Sequence, residues 1–212
     1  MIGRGAWYRW MAHQFARPEG PAGRVLIAPW LDRVARPMNA LVLGELAIGA
    51  DDDFIEVGFG GGALMAAARL ATAGRVAGAD ISPAMVRRAR RRLGSGVEVA
   101  SASVDALPFG AASFDKAASV NNVYFWPDPA AGMAELARVL RPGGRLAIAF
   151  EPPEELLKWP GHRFGFRLYP EDEVRALMEH AGFRGICAAW GTGRRPDRFL
   201  CLTGTRSRGD AH

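Results

Sequence analysis

Beyond position 51 the chain alternates short apolar runs, rich in Val, Ile and Phe, with stretches of helical periodicity. The runs predict strands over 53–57, 75–79, 97–102, 114–119, 145–150, 184–190 and 198–203. Helical spacing between them predicts helices over 63–73, 84–93, 130–140 and 171–181. Such alternation implies a mainly parallel sheet with helices on both faces. Ser82-Pro83 reads as a cap and helix start, and Arg141-Pro142-Gly143-Gly144 as a helix stop with a tight turn into a strand. No helical pattern separates the last two strands. The glycine- and arginine-rich turn 191–197 joins them, so they are expected as an antiparallel hairpin at the sheet edge. The first 50 residues are helical in pattern, broken at Pro29 and Pro37. The expected fold is α/β: a doubly wound, mainly parallel seven-stranded sheet whose last strand is antiparallel. A helical cap (1–50), a main domain (51–205) and a frayed tail (206–212) are expected, with fraying already at Thr205.

Composition narrows the class without changing the fold. At 212 residues, with 49% apolar and 23% charged positions, the chain suits one soluble domain with a sizeable core. No apolar run approaches the ~18 residues of a membrane span. The opening has no apolar signal core. The two cysteines, Cys187 and Cys201, form no CxxC pair, and small-residue packing in the last two strands accounts for them. A cytoplasmic location is therefore expected. The net charge of +5 invites a nucleic-acid reading, but 25 of the 27 basic residues are arginines in an Ala- and Gly-rich chain. The densest run, 87–92, lies in a predicted helix and reads as a solvated face. A nucleic-acid partner is not expected.

The main chemical signal is Glu56-Val57-Gly58-Phe59-Gly60-Gly61-Gly62, which follows the first strand and opens a helix. Glycines let the backbone approach a ligand, and the helix N-terminus offers free N–H groups to an anion. Gly58-x-Gly60-x-x-Ala63 also satisfies the loose dinucleotide fingerprint, so an NAD-linked oxidoreductase is one reading. Glu56 argues against it, because a carboxylate at the strand end repels a pyrophosphate. It suits instead a ligand carrying both a carboxylate and an ammonium, such as S-adenosylmethionine (SAM). The alternative for Glu56 is a capping carboxylate. Asp80 ends the second strand, where a carboxylate accepts from ribose hydroxyls in either cofactor. Asp105 follows the third strand and reads as an acceptor for the adenine amino group, with the Ala106 N–H donating to the ring. Its alternative is an Asx turn before Pro108.

Four motifs, EVGFGGG, ADISPAMVRRA, DALPFGAASFD and ELARVLRPGGRLAI, occur in this order between residues 51 and 205. Together they resemble the class I SAM-dependent methyltransferases, in particular the small-molecule branch that includes quinone-biosynthesis C-methyltransferases. The resemblance implies that Glu56, Gly58 and Gly60 hold the methionine end and Asp80 the ribose. It places Ile81 and Met85 on the adenine flank, Asp105 and Ala106 at the adenine edge, and Asn121 and Asn122 beside the methionine moiety and its methyl. The fourth strand ends Asn121-Asn122-Val123-Tyr124, which departs from the Asn/Asp-Pro-Pro-aromatic pattern of nucleic-acid amino methyltransferases. Only Asp128 lies near where a catechol enzyme would gather carboxylates, so no metal is expected.

Methyl transfer from a sulfonium needs alignment and exclusion of water before it needs an acid. A general base helps where the acceptor is protonated. Candidates are His162 foremost, then Tyr124, with Tyr8, His13 and Tyr169 on covering segments. Aromatics at 7–15 and 151–170 suit a water-excluding pocket for a small-molecule acceptor, or simple packing of the cap. An aromatic, basic opening is also compatible with a membrane surface. A non-catalytic SAM-binding module is the other class left open, since the acceptor side carries no signature. Neither the acceptor atom nor the oligomeric state is set by these patterns.

Overall fold

The computed structural model describes residues 3–20 and 23–208. Helices α1 (Arg4–Ala16), α2 (Ala28–Val34) and α3 (Arg36–Leu46) come first, with a π-helical turn over Gly23–Ile27. Then follow β1 (Phe54–Val57), α4 (Ala63–Ala71), β2 (Val76–Asp80), α5 (Pro83–Leu93), β3 (Glu98–Ser101) and β4 (Phe114–Val120). The chain closes with α6 (Pro129–Val139), β5 (Leu140–Phe150), the single turn α7 (Pro153–Leu156), α8 (Glu171–His180), β6 (Phe183–Thr192) and β7 (Arg198–Arg206). Pro29 and Pro37 stand in the first turns of α2 and α3, where a missing N–H costs nothing. Ser82 caps α5 through Met85 N–H and Asp128 caps α6 through Ala131 N–H.

The seven strands lie in the order β3-β2-β1-β4-β5-β7-β6. β1 to β5 pair in parallel, and β7 inserts antiparallel between β5 and β6. The order reverses between β1 and β4, so their carboxyl ends frame the crevice where such sheets bind ligands. β1 shows how the two faces are filled. Phe54 joins the core beneath α3, α4 and α5, whereas Ile55 and Val57 join the core beneath α6 and α8. Each such buried side chain contributes about 1.5–3 kcal/mol.

Three local expectations change. The helical preface divides: Met38, Val42 and Leu46, spaced by one helical turn, are fully buried, so α3 is a layer of the main core rather than part of a cap. The Arg141–Gly144 turn is absorbed into the irregular start of β5, with a register shift between Phe114 and Lys116 of its partner. The tail begins later than expected. Thr205 and Arg206 belong to β7, the Arg206 guanidinium donates to Leu140 O, and Ser207 N–H donates to Gly182 O at 3.0 Å. Residues 209–212 lie outside the described residues. Cys201 is buried in the sheet, where burial pushes its thiol up to about 12, but Cys187 is exposed, so core packing does not account for it. Among the described residues no helix is long and apolar enough to cross a membrane.

Candidate functional site

The loop after β1 is shaped by its glycines. Gly58 adopts φ +71° and donates to Ala79 O at 2.7 Å, which turns the chain over the end of β2. A Cβ on Gly58 would lie 1.6 Å from the Asn122 amide nitrogen, so no other residue fits. Gly60 also has a left-handed backbone, at φ +51°, but open space lies where its Cβ would point. Its N–H donates to Asp80 Oδ2 at 2.9 Å. The other oxygen, Asp80 Oδ1, accepts from Ser82 N–H at 2.8 Å. One carboxylate thus ties the glycine loop to the loop after β2. Burial pushes its pKa up to about 6 against the pull of these two N–H donors.

Glu56 is buried at the end of β1, and its Oε2 accepts from Met65 N–H in the first turn of α4 at 3.1 Å. The capping role foreseen as its alternative is therefore present, and the same carboxylate lines the central cavity. Burial, with the nearby Asp80 and Asp32, holds its carboxyl well above the usual range. A cationic group entering here would relieve that cost.

The cavity has a volume of about 780 Å³. It runs from Glu56, Gly58, Gly60, Asp80 and Ile81, past Ser103 and Val104, to Asn121, Asn122 and an aromatic chamber. The chamber walls come from three segments: Phe15 and Trp30 of the N-terminal helices, Phe125 after β4, and Trp159 and Phe166 of the 151–170 insert. Phe15 stacks on Trp30 at 5.4 Å and meets Trp159 at 5.1 Å, and Trp159 meets Phe166 at 5.4 Å. The aromatics therefore both fasten the covering helices and line the pocket.

Several expected site residues are placed elsewhere. Met85 is fully buried in the core under α5, Asp105 is not among the lining residues, and Ala106 N–H closes a turn onto Ser103 O. Ser103 and Val104 occupy that wall instead. Asn122 lines the cavity, but its amide is fully used. Nδ2 donates to Val57 O at 2.7 Å, and Oδ1 accepts from Ser119 Oγ and Trp126 Nε1. It is a clamp joining the ends of β1 and β4. His162 is not among the lining residues, and its Nδ1 pairs with Trp159 O at 2.7 Å. Tyr124 is buried and not among the lining residues, and burial holds its phenol well above the usual range. Its hydroxyl donates to Asn121 Oδ1 at 3.0 Å and accepts from Glu151 N–H. Tyr124→Phe leaves both partners short of a bond. A loss of about 1–3 kcal/mol in stability is expected in denaturant unfolding, and an unchanged midpoint would show that water takes over both roles.

Two residues escaped the sequence reading. Asp32 on α2 lies against Gly61, where a Cβ would come within 2.1 Å of its carboxylate. It pairs with Arg92 at 3.0 Å and Arg88 at 3.4 Å. Arg90 donates to Val99 O and Arg92 to Gly61 O. The run is a solvated face as expected, with Arg87, Arg90, Arg91 and Arg92 exposed, but three of its arginines also tie α5 to α2, β3 and the glycine loop. Glu151, directly after β5, lines the cavity beside Asn121. Its signal was its place after a strand end.

Residues 55–148 match the family model described as a methyltransferase domain. An uncharacterized methyltransferase of Bacillus subtilis is 35% identical over 119 residues, covering 55% of this chain and 66% of the relative. The rice chloroplast 2-methyl-6-phytyl-1,4-hydroquinone methyltransferase 1 is 31% identical over 111 residues, covering 50% of this chain and 33% of the relative. The chain spans about half to two thirds of the length of the curated relatives first matched. Among solved structures, the complex of the Haloferax volcanii Trm112 methyltransferase activator with a putative methyltransferase aligns with a TM-score of 0.78 at 21% identity. It covers 94% of this chain and 97% of that chain, a likeness of fold.

Proposed function

Because this chain belongs to the class I SAM-dependent methyltransferases, we propose that it moves a methyl group from SAM to a small organic acceptor. The observation that carries this reading is the continuity of the cavity. Its polar end has two buried carboxylates around a glycine loop, and its other end is an aromatic chamber. The donor set fits the cofactor. Glu56 suits an ammonium, Asp80 suits ribose hydroxyls, and Ile81 with Val104 suits an adenine face. Asp80 keeps lone pairs to spare after its two backbone bonds. When bound, SAM supplies a methyl group on a cationic sulfur that departs as a neutral thioether.

The chain's own residues then have three tasks. The loops after β1 and β2 hold the cofactor in register. The covering helices and the 151–170 insert exclude water. The chamber aligns the acceptor's nucleophile. The hydroquinone acceptor in the rice relative's name supports an aromatic acceptor here as well.

Calorimetric titration with S-adenosylhomocysteine (SAH), and with NAD in parallel, tests the reading. Micromolar SAH affinity without NAD binding is expected, and the reverse would return the oxidoreductase reading. A pH dependence should accompany it. Hydroxyls donate much more strongly to the ionised Asp80 carboxylate than to its neutral form, so SAH affinity should be full above about pH 6 and fall as the pH drops through that value. Constant affinity from pH 8 to pH 5 would remove Asp80 from the ribose site.

A further inference from the structure

The acceptor half of the cavity holds a carboxylate in an unusual setting. Glu151 follows the last residue of β5 and faces the chamber whose walls include Phe125, Trp159 and Phe166. The Asn121 side chain beside it holds the carboxyl down against the upward push of burial. Asn121 is itself fixed. It sits at φ +58°, its N–H donates to Ala149 O at 2.8 Å, and its Oδ1 accepts from Tyr124. Tyr124 also accepts from Glu151 N–H, so one hydroxyl joins Asn121 to the Glu151 backbone. Non-glycine residues held at positive φ by their surroundings gather at working sites.

The charges around Glu151 come from the 151–170 insert and the β6–β7 turn. Glu155, its acidic neighbour, pairs with Lys158 at 2.7 Å, and Lys158 pairs with Asp197 at 3.2 Å. Arg194 and Arg195 line the same cavity. Among the described residues, no lysine or arginine forms an ion pair with Glu151 within 4.0 Å. A half-buried carboxylate without an ion-pair partner, lining a cavity with aromatic walls, is placed to accept a proton from a bound donor.

Building on the methyltransferase reading, we propose that Glu151 is the general base for the acceptor, with Asn121 and Tyr124 as its positioning residues. The acceptor class is a planar aromatic molecule carrying an O–H or N–H. Glu151 takes the proton from that heteroatom. The electron pair left behind forms the bond to the methyl carbon, while the methyl–sulfur pair stays on sulfur and discharges its positive charge. The proton then leaves Glu151 for solvent. Burial and the charge of Glu155 push the Glu151 carboxyl up to about 7, so its proton affinity suits a base working near neutrality.

The test uses the full chain loaded with SAH and three fluorescent probes of one shape: 2-naphthol, 1-naphthylamine and naphthalene. SAH titration comes first, and failure of the wild type to bind SAH would overturn the methyltransferase reading and this proposal with it. In the wild type, 2-naphthol or 1-naphthylamine should bind about tenfold more tightly at pH 8 than at pH 6, as Glu151 ionises. Naphthalene, which has no donor, should show no such rise. Glu151→Gln should keep its SAH affinity and lose the rise. Which donor probe responds separates a hydroxyl from an amine acceptor. A flat wild-type profile, the same rise in Glu151→Gln, or no donor probe bound by SAH-loaded protein would each overturn the proposal. The wild-type profile decides even if the variant fails to fold. Tyr124→Phe provides the positioning test: it should move the midpoint of the rise, which a purely structural tyrosine would leave in place.

Discussion

Asp80→Ala should lower SAH affinity on the order of 100-fold or more. Hydrogen bonds to a charged partner are worth about 1.5–3 kcal/mol each, and the ribose site would lose two. The substitution also removes the acceptor of Gly60 N–H and Ser82 N–H, so the two loops that shape the pocket lose their common anchor. Isothermal calorimetry measures the first effect, and affinity within threefold of the wild type would refute the assignment. The same carboxylate has a stability signature of definite sign. Its folded pKa, near 6, stands above the ordinary value of 3.8. Folding therefore favours the protonated form. The wild type loses stability, roughly 3 kcal/mol from this group, as the pH rises from below about 4 through about 6. The melting-temperature penalty of Asp80→Ala should accordingly be smaller at pH 8 than at pH 5, and the opposite order would contradict a desolvated Asp80.

Gly58→Ala should be the most damaging single-methyl change in the loop. The added carbon would sit 1.6 Å from the Asn122 amide nitrogen, on a backbone with φ +71°. Either Asn122 releases Val57 O and Gly58 O, or the loop abandons its turn over Ala79. Overpacking costs about 1–3 kcal/mol and the left-handed backbone about a further 1 kcal/mol. A drop of several kcal/mol in unfolding free energy, with SAH binding lost, is expected. Gly60→Ala makes the informative control. Its backbone strain is similar, but open space surrounds the new carbon, so it should fold more stably than Gly58→Ala while still crowding the ligand. Equal stability of the two variants would show that strain, rather than the Asn122 contact, sets the cost.

The two predictions rest on different kinds of legibility. Gly58, Gly60 and Asp80 were readable because a strand end, a tight turn and a helix start restrict residue type within a few positions. The wall after β3 was less legible. Asp105 and Ala106 suited the task by type, yet Ala106 spends its N–H on Ser103 O, and Ser103 with Val104 forms the wall. The two bases named from the sequence are placed off the cavity for a related reason. His162 and Tyr124 have suitable chemistry, but a local backbone carbonyl holds one and the core holds the other. Glu151 carries no motif, and its setting comes from Asn121 and Tyr124, 30 and 27 positions earlier in the chain.

By itself, then, the sequence determined the order of strands and helices, the antiparallel ending and the glycine loop with its two acidic neighbours. All of these are written in periodicity and turn chemistry that act over a few residues. Only the tertiary structure decided that α3 is core, that Asp32 answers the arginine run, that Asn122 is a clamp, and that Glu151 faces an aromatic chamber. Those outcomes depend on which distant segments the closed sheet brings together. Burial and hydrogen-bond supply at such a meeting point are set by all the segments at once, and no single stretch of sequence carries that information.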